Sequence, residues 1–198
     1  SITTVLLNSC CAVYGDAAVA AMSIVSRIIF FAFSIALGIG QGYQPVAAFS
    51  YGAKKFSRLR EGFWFAVCAS EGVILITTAF LVLFSGDLIA LFRDDPTVIE
   101  IGTRALKLQV LASLVLPPGM VVEMLYQSTG RRFGASLLSS LRSGLFFIPT
   151  LLLLADIRGL AGIQEAQPIS LLLSAPVFVI FAIFFFRKLP KDNKQKGD

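Results

Sequence analysis

Apolar stretches about the length of a bilayer crossing recur along this chain, and the short segments between them hold most of its charge. A hydrocarbon layer about 30 Å thick takes roughly 20 residues of helix at about 1.5 Å each. Runs that meet this requirement occupy residues 17–51, 62–85, about 106–129, 133–154 and 168–186. A water-soluble fold would need polar residues to coat its surface. With 56% hydrophobic against 15% charged residues over 198 positions, and a mean hydropathy of +0.80, the coat is missing. The pattern therefore predicts an all-α, polytopic transmembrane bundle.

The run at residues 2–14 is short for a crossing and is expected to be the end of a span that starts upstream, which makes the chain a fragment. With it the count is six spans, a lobe over residues 1–188 and a polar tail over 189–198. Gly15-Asp16 reads as a tight turn. The second span ends on Gly38, Gly40, Gly42 and Pro45, residues that loosen a helix or admit a close neighbour. A polar stretch at 86–102 holds a short amphipathic piece (Leu88, Ile89, Leu91, Phe92), then Asp95-Pro96, which reads as N-cap and first helical residue. Pro117-Pro118-Gly119 should bend the fourth span; Pro149 and Pro176 fall in the fifth and sixth.

Sidedness follows from the basic residues. Lys54, Lys55, Arg58, Arg60, Arg131, Arg132, Arg187, Lys188, Lys191, Lys194 and Lys196 fall at one set of ends, and Arg93, Arg104, Lys107 and Arg158 at the other. The positive-inside rule then puts the C-terminus in the cytoplasm. The excess charge of +5 is thus topological, since no basic run alternates with aromatics in a way that suits base stacking; nucleic acid is not an expected partner. The absence of histidine excludes a Ser-His-Asp triad, a Cys-His pair and an H-E-x-x-H zinc site. Cys10, Cys11 and Cys68 sit in apolar runs and form no C-x-x-C pair, so they are expected as lipid-facing or packing residues. No enzyme activity, cofactor or metal is expected.

An ionised side chain deep in a bilayer persists only if paired, wetted or useful. Arg27, Glu71 and Arg142 each lie about 10 residues inside a span, so about 15 Å deep and close to one plane; Glu123 is nearer the cytoplasmic end, roughly 10 Å in. Two readings are open. The glutamates are protonatable or cation-binding groups of a transport cycle, or the charges form structural Arg–Glu pairs between helices. Gln41 and Gln44 face a substrate cavity or bridge helices. Pro45, Pro117, Pro118 and Gly119 form hinges or static kinks.

At the end of the second span stands Gly38-Ile39-Gly40-Gln41-Gly42-Tyr43-Gln44-Pro45, followed by Tyr51-Gly52-Ala53. This resembles the G-x-G-Q-G-x-Q-P…Y-G-A signature of the multidrug and toxic compound extrusion (MATE) family, in particular its MepA-like bacterial branch. Leu6-Leu7-Asn8, Tyr14-Gly15-Asp16, Tyr126-Gln127-Ser128-Thr129-Gly130, Arg142 with Ile148-Pro149, and Gly159-Leu160-Ala161-Gly162-Ile163 follow the same order. Departures from the pattern are Ser170-Leu171, where an acid often follows the proline of the last span, and Gln164, where tryptophan is frequent. The resemblance covers only the second of two six-helix lobes. It implies export of small, often cationic organic molecules across a bacterial cytoplasmic membrane, driven by protons or sodium, with the N-terminal lobe as partner and membrane lipid as surroundings. Rival readings are a lipid-linked oligosaccharide flippase of related fold, an integral-membrane enzyme and a structural membrane scaffold.

Overall fold

The computed structural model describes residues 2–189, with the side chains of Ile2, Arg142 and Ser143 excepted. Helices carry almost the whole path, and no strand occurs among the described residues. In order they are α1 (Ile2–Ala12), α2 (Asp16–Gly52), α3 (Phe56–Leu83), α4 (Ser85–Phe92), α5 (Pro96–Ala112), α6 (Leu116–Ser128), α7 (Arg132–Ser140) and α8 (Phe147–Arg187). A 3₁₀ turn, Ser113–Val115, joins α5 to α6, and a π turn, Leu141–Leu145, leads from α7 towards α8. The backbone of Arg142 falls in that π turn; its side chain, like most of the expected tail, lies outside the described residues.

Four of these stretches are long and apolar enough to cross a membrane: α2, α3, the α5–α6 unit over Pro96–Ser128, and α8; α1 is a shorter apolar helix. The last stretch is two arms. Gly159 breaks α8 with φ 59° and ψ −135°, a conformation that a side chain would oppose. The chain doubles back so tightly there that a Cβ on Gly162 would meet the carbonyl of Leu154, 2.5 Å from its carbon. Arg158 and Glu165 pair across this turn. The Gly159…Gly162 landmark is thus the apex of a helical hairpin, and with α1 the path agrees with six spans.

Helix ends differ from the apolar boundaries in an instructive way. The fourth span begins at Pro96 rather than near residue 106, because backbone hydrogen bonding continues through Arg104 and Lys107 after the sequence stops being apolar. Asp95 caps this helix as expected: its Oδ1 accepts from the backbone N–H of Thr97 at 2.9 Å and of Val98 at 3.3 Å. The amphipathic piece is α4, with Ile89 buried and Leu91 exposed.

Packing forms two apolar centres bridged by a smaller third. One gathers Leu7, Met22, Val25, Ile89, Leu106, Leu151 and Ile163; the other gathers Tyr43, Leu59, Phe63, Leu125, Tyr126, Phe178 and Phe185. Ala36, Ile74, Met120 and Met124 lie between them. The second centre marks the basic end. Arg131 lies over the Phe185 ring at 4.5 Å and Arg60 over Phe186 at 5.8 Å, so the charged ends of α3, α6 and α8 are together. At the opposite end Arg104 and Arg158 both reach Glu165. Sequence sidedness and geometry therefore divide the basic residues in the same way. Cys11 is buried, Cys68 is exposed, and Cys10 is intermediate.

Candidate functional site

A helix that crosses lipid normally turns large apolar residues outward, and α3 and α8 do so with Phe65, Ile76, Leu173 and Phe184. α2 differs. Its inward row is Met22, Val25, Ile28, Ala36, Gly40, Tyr43 and Ala47. Its exposed side carries Arg27, Ser34, Gln41 and Ala48 at every seventh position, with Gly38 and Pro45 between them. Seven residues are close to two helical turns, so these side chains form one row of small and polar groups, a stripe that shares the exposed face of α2 with Phe30, Phe31, Ile35 and Phe49. Pro45 lacks an N–H, which leaves the carbonyl of Gln41 without its helical donor on the same stripe.

Next to the stripe, a hydrogen-bonded chain runs into the bundle. Gln44 Nε2 donates to Gln127 Oε1 at 2.9 Å, and Gln127 Nε2 donates to Glu123 Oε1 at 3.2 Å. The direction is set by the carboxylate, which when ionised only accepts, so the Gln127 amide nitrogen must face it and its oxygen must face α2. Glu123 is 5% exposed and is flanked on α6 by the buried Val122 and Met124. The chain therefore links a buried acid to α2, beside its exposed face, through two side-chain amides.

Beside the other half of α2, a pocket of about 220 Å³ lies between α2, α5 and the second arm of α8. Ser26, Gln109, Ser113 and Gln167 supply its polar groups and Phe30 and Phe33 its aromatic wall. Gln109 is 3% exposed, and its Nε2 has no hydrogen-bond partner among the described residues. A buried amide donor left open at membrane depth is costly.

A model of the MatE family matches residues 1–155. The chain belongs to the MatE family. Among its relatives, the multidrug export protein MepA of Staphylococcus haemolyticus is 28% identical over 95% of this chain and 40% of its own length. The multidrug export protein MepA of Staphylococcus aureus strain N315 is 30% identical over 81% of this chain and 35% of its own. The chain thus spans about two fifths of the length of the relatives it matches. Two solved structures share the fold. The MATE transporter VcmN of Vibrio cholerae, in its bent form, matches with a TM-score of 0.86 at 22% identity, covering 94% of this chain and 42% of that one. A transporter of the MOP superfamily from Pyrococcus furiosus gives 0.89 at 20% identity, over 96% and 44%.

Set in a MatE lobe, the expected site residues separate. Gln44 and Glu123 are brought together; Gln41 lies one turn from Gln44 on the exposed stripe. Arg27 is exposed and forms no ion pair with Glu71 among the described residues. Glu71 is half-buried on α3, flanking the row Val67, Ser70 and Ile74. Pro45 lies inside an unbroken α2. Pro117 and Pro118 begin α6 just after the 3₁₀ turn, where the Leu116 N–H already serves the Ser113 carbonyl that Pro117 cannot. Gly119 lies against the ring of Phe178. Sequence reasoning passed over Gln127 and Gln109. The spacing of Glu123 and Gln127, four residues apart on one helix, was the available signal for the first. Gln109 carried no comparable mark.

Proposed function

We propose that this chain is one lobe of an ion-coupled multidrug antiporter, which exports small organic cations from the cytoplasm in exchange for protons or sodium. The observation that supports this most is the polar stripe of α2 joined to Glu123 through Gln44 and Gln127, on a bundle otherwise coated in large apolar side chains. The stripe faces an aqueous cavity shared with a second, N-terminal lobe. The basic ends of the helices, and with them the C-terminus, lie in the cytoplasm of a bacterium. The MepA relatives are multidrug export proteins, which accords with drug export as the activity of the whole protein.

In this reading Glu123 is the ion-responsive group. Ionised, it orients the Gln127 amide nitrogen inward. Protonated, it is itself a donor, Gln127 can turn its oxygen inward, and its amide nitrogen is then presented to Gln44, which must turn in response. A change of charge at a buried acid is thereby read on the α2 surface, where Gln41 and the aromatic residues beside it meet the substrate. Glu71 is the second candidate, at the depth of Arg27. Pro45 and the Pro117-Pro118-Gly119 segment are the places where the helices give as the lobes move.

The test is dye efflux by the full-length protein in cells, under imposed proton or sodium gradients. Glu123→Gln should abolish efflux and drug resistance at normal expression, with Glu71→Gln as a parallel variant. Efflux at the unsubstituted rate from both would remove these acids from the mechanism. Loss of all gradient dependence in the unsubstituted protein would refute antiport itself.

A further inference from the structure

A groove of about 560 Å³ runs along the basic half of the bundle between α3, α6 and the second arm of α8. Trp64 and Val67 of α3, Pro118 and Val122 of α6, and Ile183 and Arg187 of α8 are among its walls. Every lining residue is apolar or aromatic except Arg187, which stands at the end where α8 terminates. From Val179 to Arg187 the groove follows α8 for about 12 Å, as deep as several carbons of an acyl chain.

Its surroundings indicate which phase it opens to. The neighbouring exposed residues are large and apolar: Phe65 is 75% exposed, Leu75 52% and Phe184 58%. With an apolar lining and an apolar rim, and without the Arg27, Ser34 and Gln41 that interrupt the exposed face of α2, the groove opens to lipid. Its charged end is also where the headgroups lie, since Arg187 and Lys188 belong to the basic side and Trp64 has the amphipathic ring typical of that level. Arg60, one turn before Trp64, sits over Phe186 at 5.8 Å, and Phe186 is itself part of the wall. Arg58, Arg60, Arg187 and Lys188 outnumber Glu61, the one acid of these two helix ends. A cationic drug would have to approach Arg187 against its charge; an anionic headgroup meets a guanidinium that presents several N–H donors.

From this we infer that the groove binds one anionic phospholipid of the basic-side leaflet, with an acyl chain between α3 and α8 and the phosphate on Arg187. The Pro117-Pro118-Gly119 interruption shapes its floor, because Pro118 lines it and Gly119 lets Phe178 seat beside it. The site needs only that the bundle be immersed in lipid, and it is independent of what the lobes transport.

Native mass spectrometry on the purified full-length protein, delipidated and then given phosphatidylglycerol or phosphatidylcholine, tests this. One phosphatidylglycerol should be retained, in roughly tenfold preference over phosphatidylcholine. Arg187→Gln should bring that preference close to unity. Ala182→Phe, which fills the groove from its α8 wall, should remove the bound lipid altogether; an unchanged melting temperature in both variants keeps the comparison fair. Equal retention of the two lipids by the unsubstituted protein would overturn the assignment. So would lipid retention that survives Ala182→Phe, or displacement of the lipid by a cationic dye such as ethidium.

Discussion

Replacing Gly119 with alanine probes the contact on which the packing of α6 against α8 rests. A Cβ at this position would lie 2.5 Å from Cδ2 of Phe178 and 2.8 Å from both its Cε2 and Cγ. Carbon atoms rest at about 3.5–4.0 Å, so the ring must retreat by about 1 Å. Phe178 is 3% exposed and belongs to the same apolar centre as Val122, Tyr126 and Phe185, so its retreat is blocked on the packed side and open only towards the groove it lines. Overpacking of this kind costs about 1–3 kcal/mol. Alanine in a helix is favoured over glycine by about 1 kcal/mol, which offsets part of the loss. The net expectation is a destabilisation of up to about 2 kcal/mol for Gly119→Ala, and of about 1–3 kcal/mol relative to a glycine-to-alanine change that meets no clash. Thermal unfolding of the full-length protein in detergent measures it. Gly72→Ala, on α3 where an added Cβ meets nothing within 4 Å, is the control and should be neutral or stabilising. The Phe178→Leu background isolates the cause. There the same Gly119→Ala change should lose its penalty, giving a coupling of about 1–3 kcal/mol between the two positions. A Gly119→Ala protein that melts with the Gly72→Ala control, or a penalty that persists without the Phe178 ring, would refute the reasoning.

Two smaller effects follow from the same structure. Asp95→Ala removes the acceptor for the Thr97 and Val98 N–H groups and should lower stability by about 1 kcal/mol, with Asp95→Asn retaining most of it in the same melting assay. Tyr126→Phe removes the hydroxyl that donates to the Phe181 carbonyl at 3.0 Å and should cost about 1 kcal/mol while leaving dye efflux intact.

The span pattern and the grouping of basic residues at alternate ends were legible because both rest on composition summed over many residues. The hairpin apex was legible only as a landmark. That Gly159 and Gly162 are required by a reversed backbone, with Leu154 packed against it, is a fact of three dimensions. The start of α5 was legible in Asp95-Pro96, while the apolar run alone begins about ten residues later, because apolar character and helical hydrogen bonding end at different residues. At the site, Glu123 and Gln44 stood out as polar groups at depth, yet their connection through Gln127 depends on which faces α2 and α6 turn to one another. The same dependence explains Arg27. With Met22, Val25 and Ile28 turned inward, a residue two after Val25 and one before Ile28 is carried to the outside, away from Glu71.

Whether the stripe of α2 faces water rather than lipid decides whether this lobe lines a transport path, and thiol accessibility measures that directly. Cysteine would be placed at Ser34, at Gln41 and, as a lipid-facing control, at Val179, in a full-length protein whose Cys10, Cys11 and Cys68 are replaced. A charged, water-soluble thiol reagent should modify positions 34 and 41 rapidly, with protection by a transported dye, and should leave position 179 unmodified. Equal, slow modification at all three positions would contradict the claim that α2 lines an aqueous path.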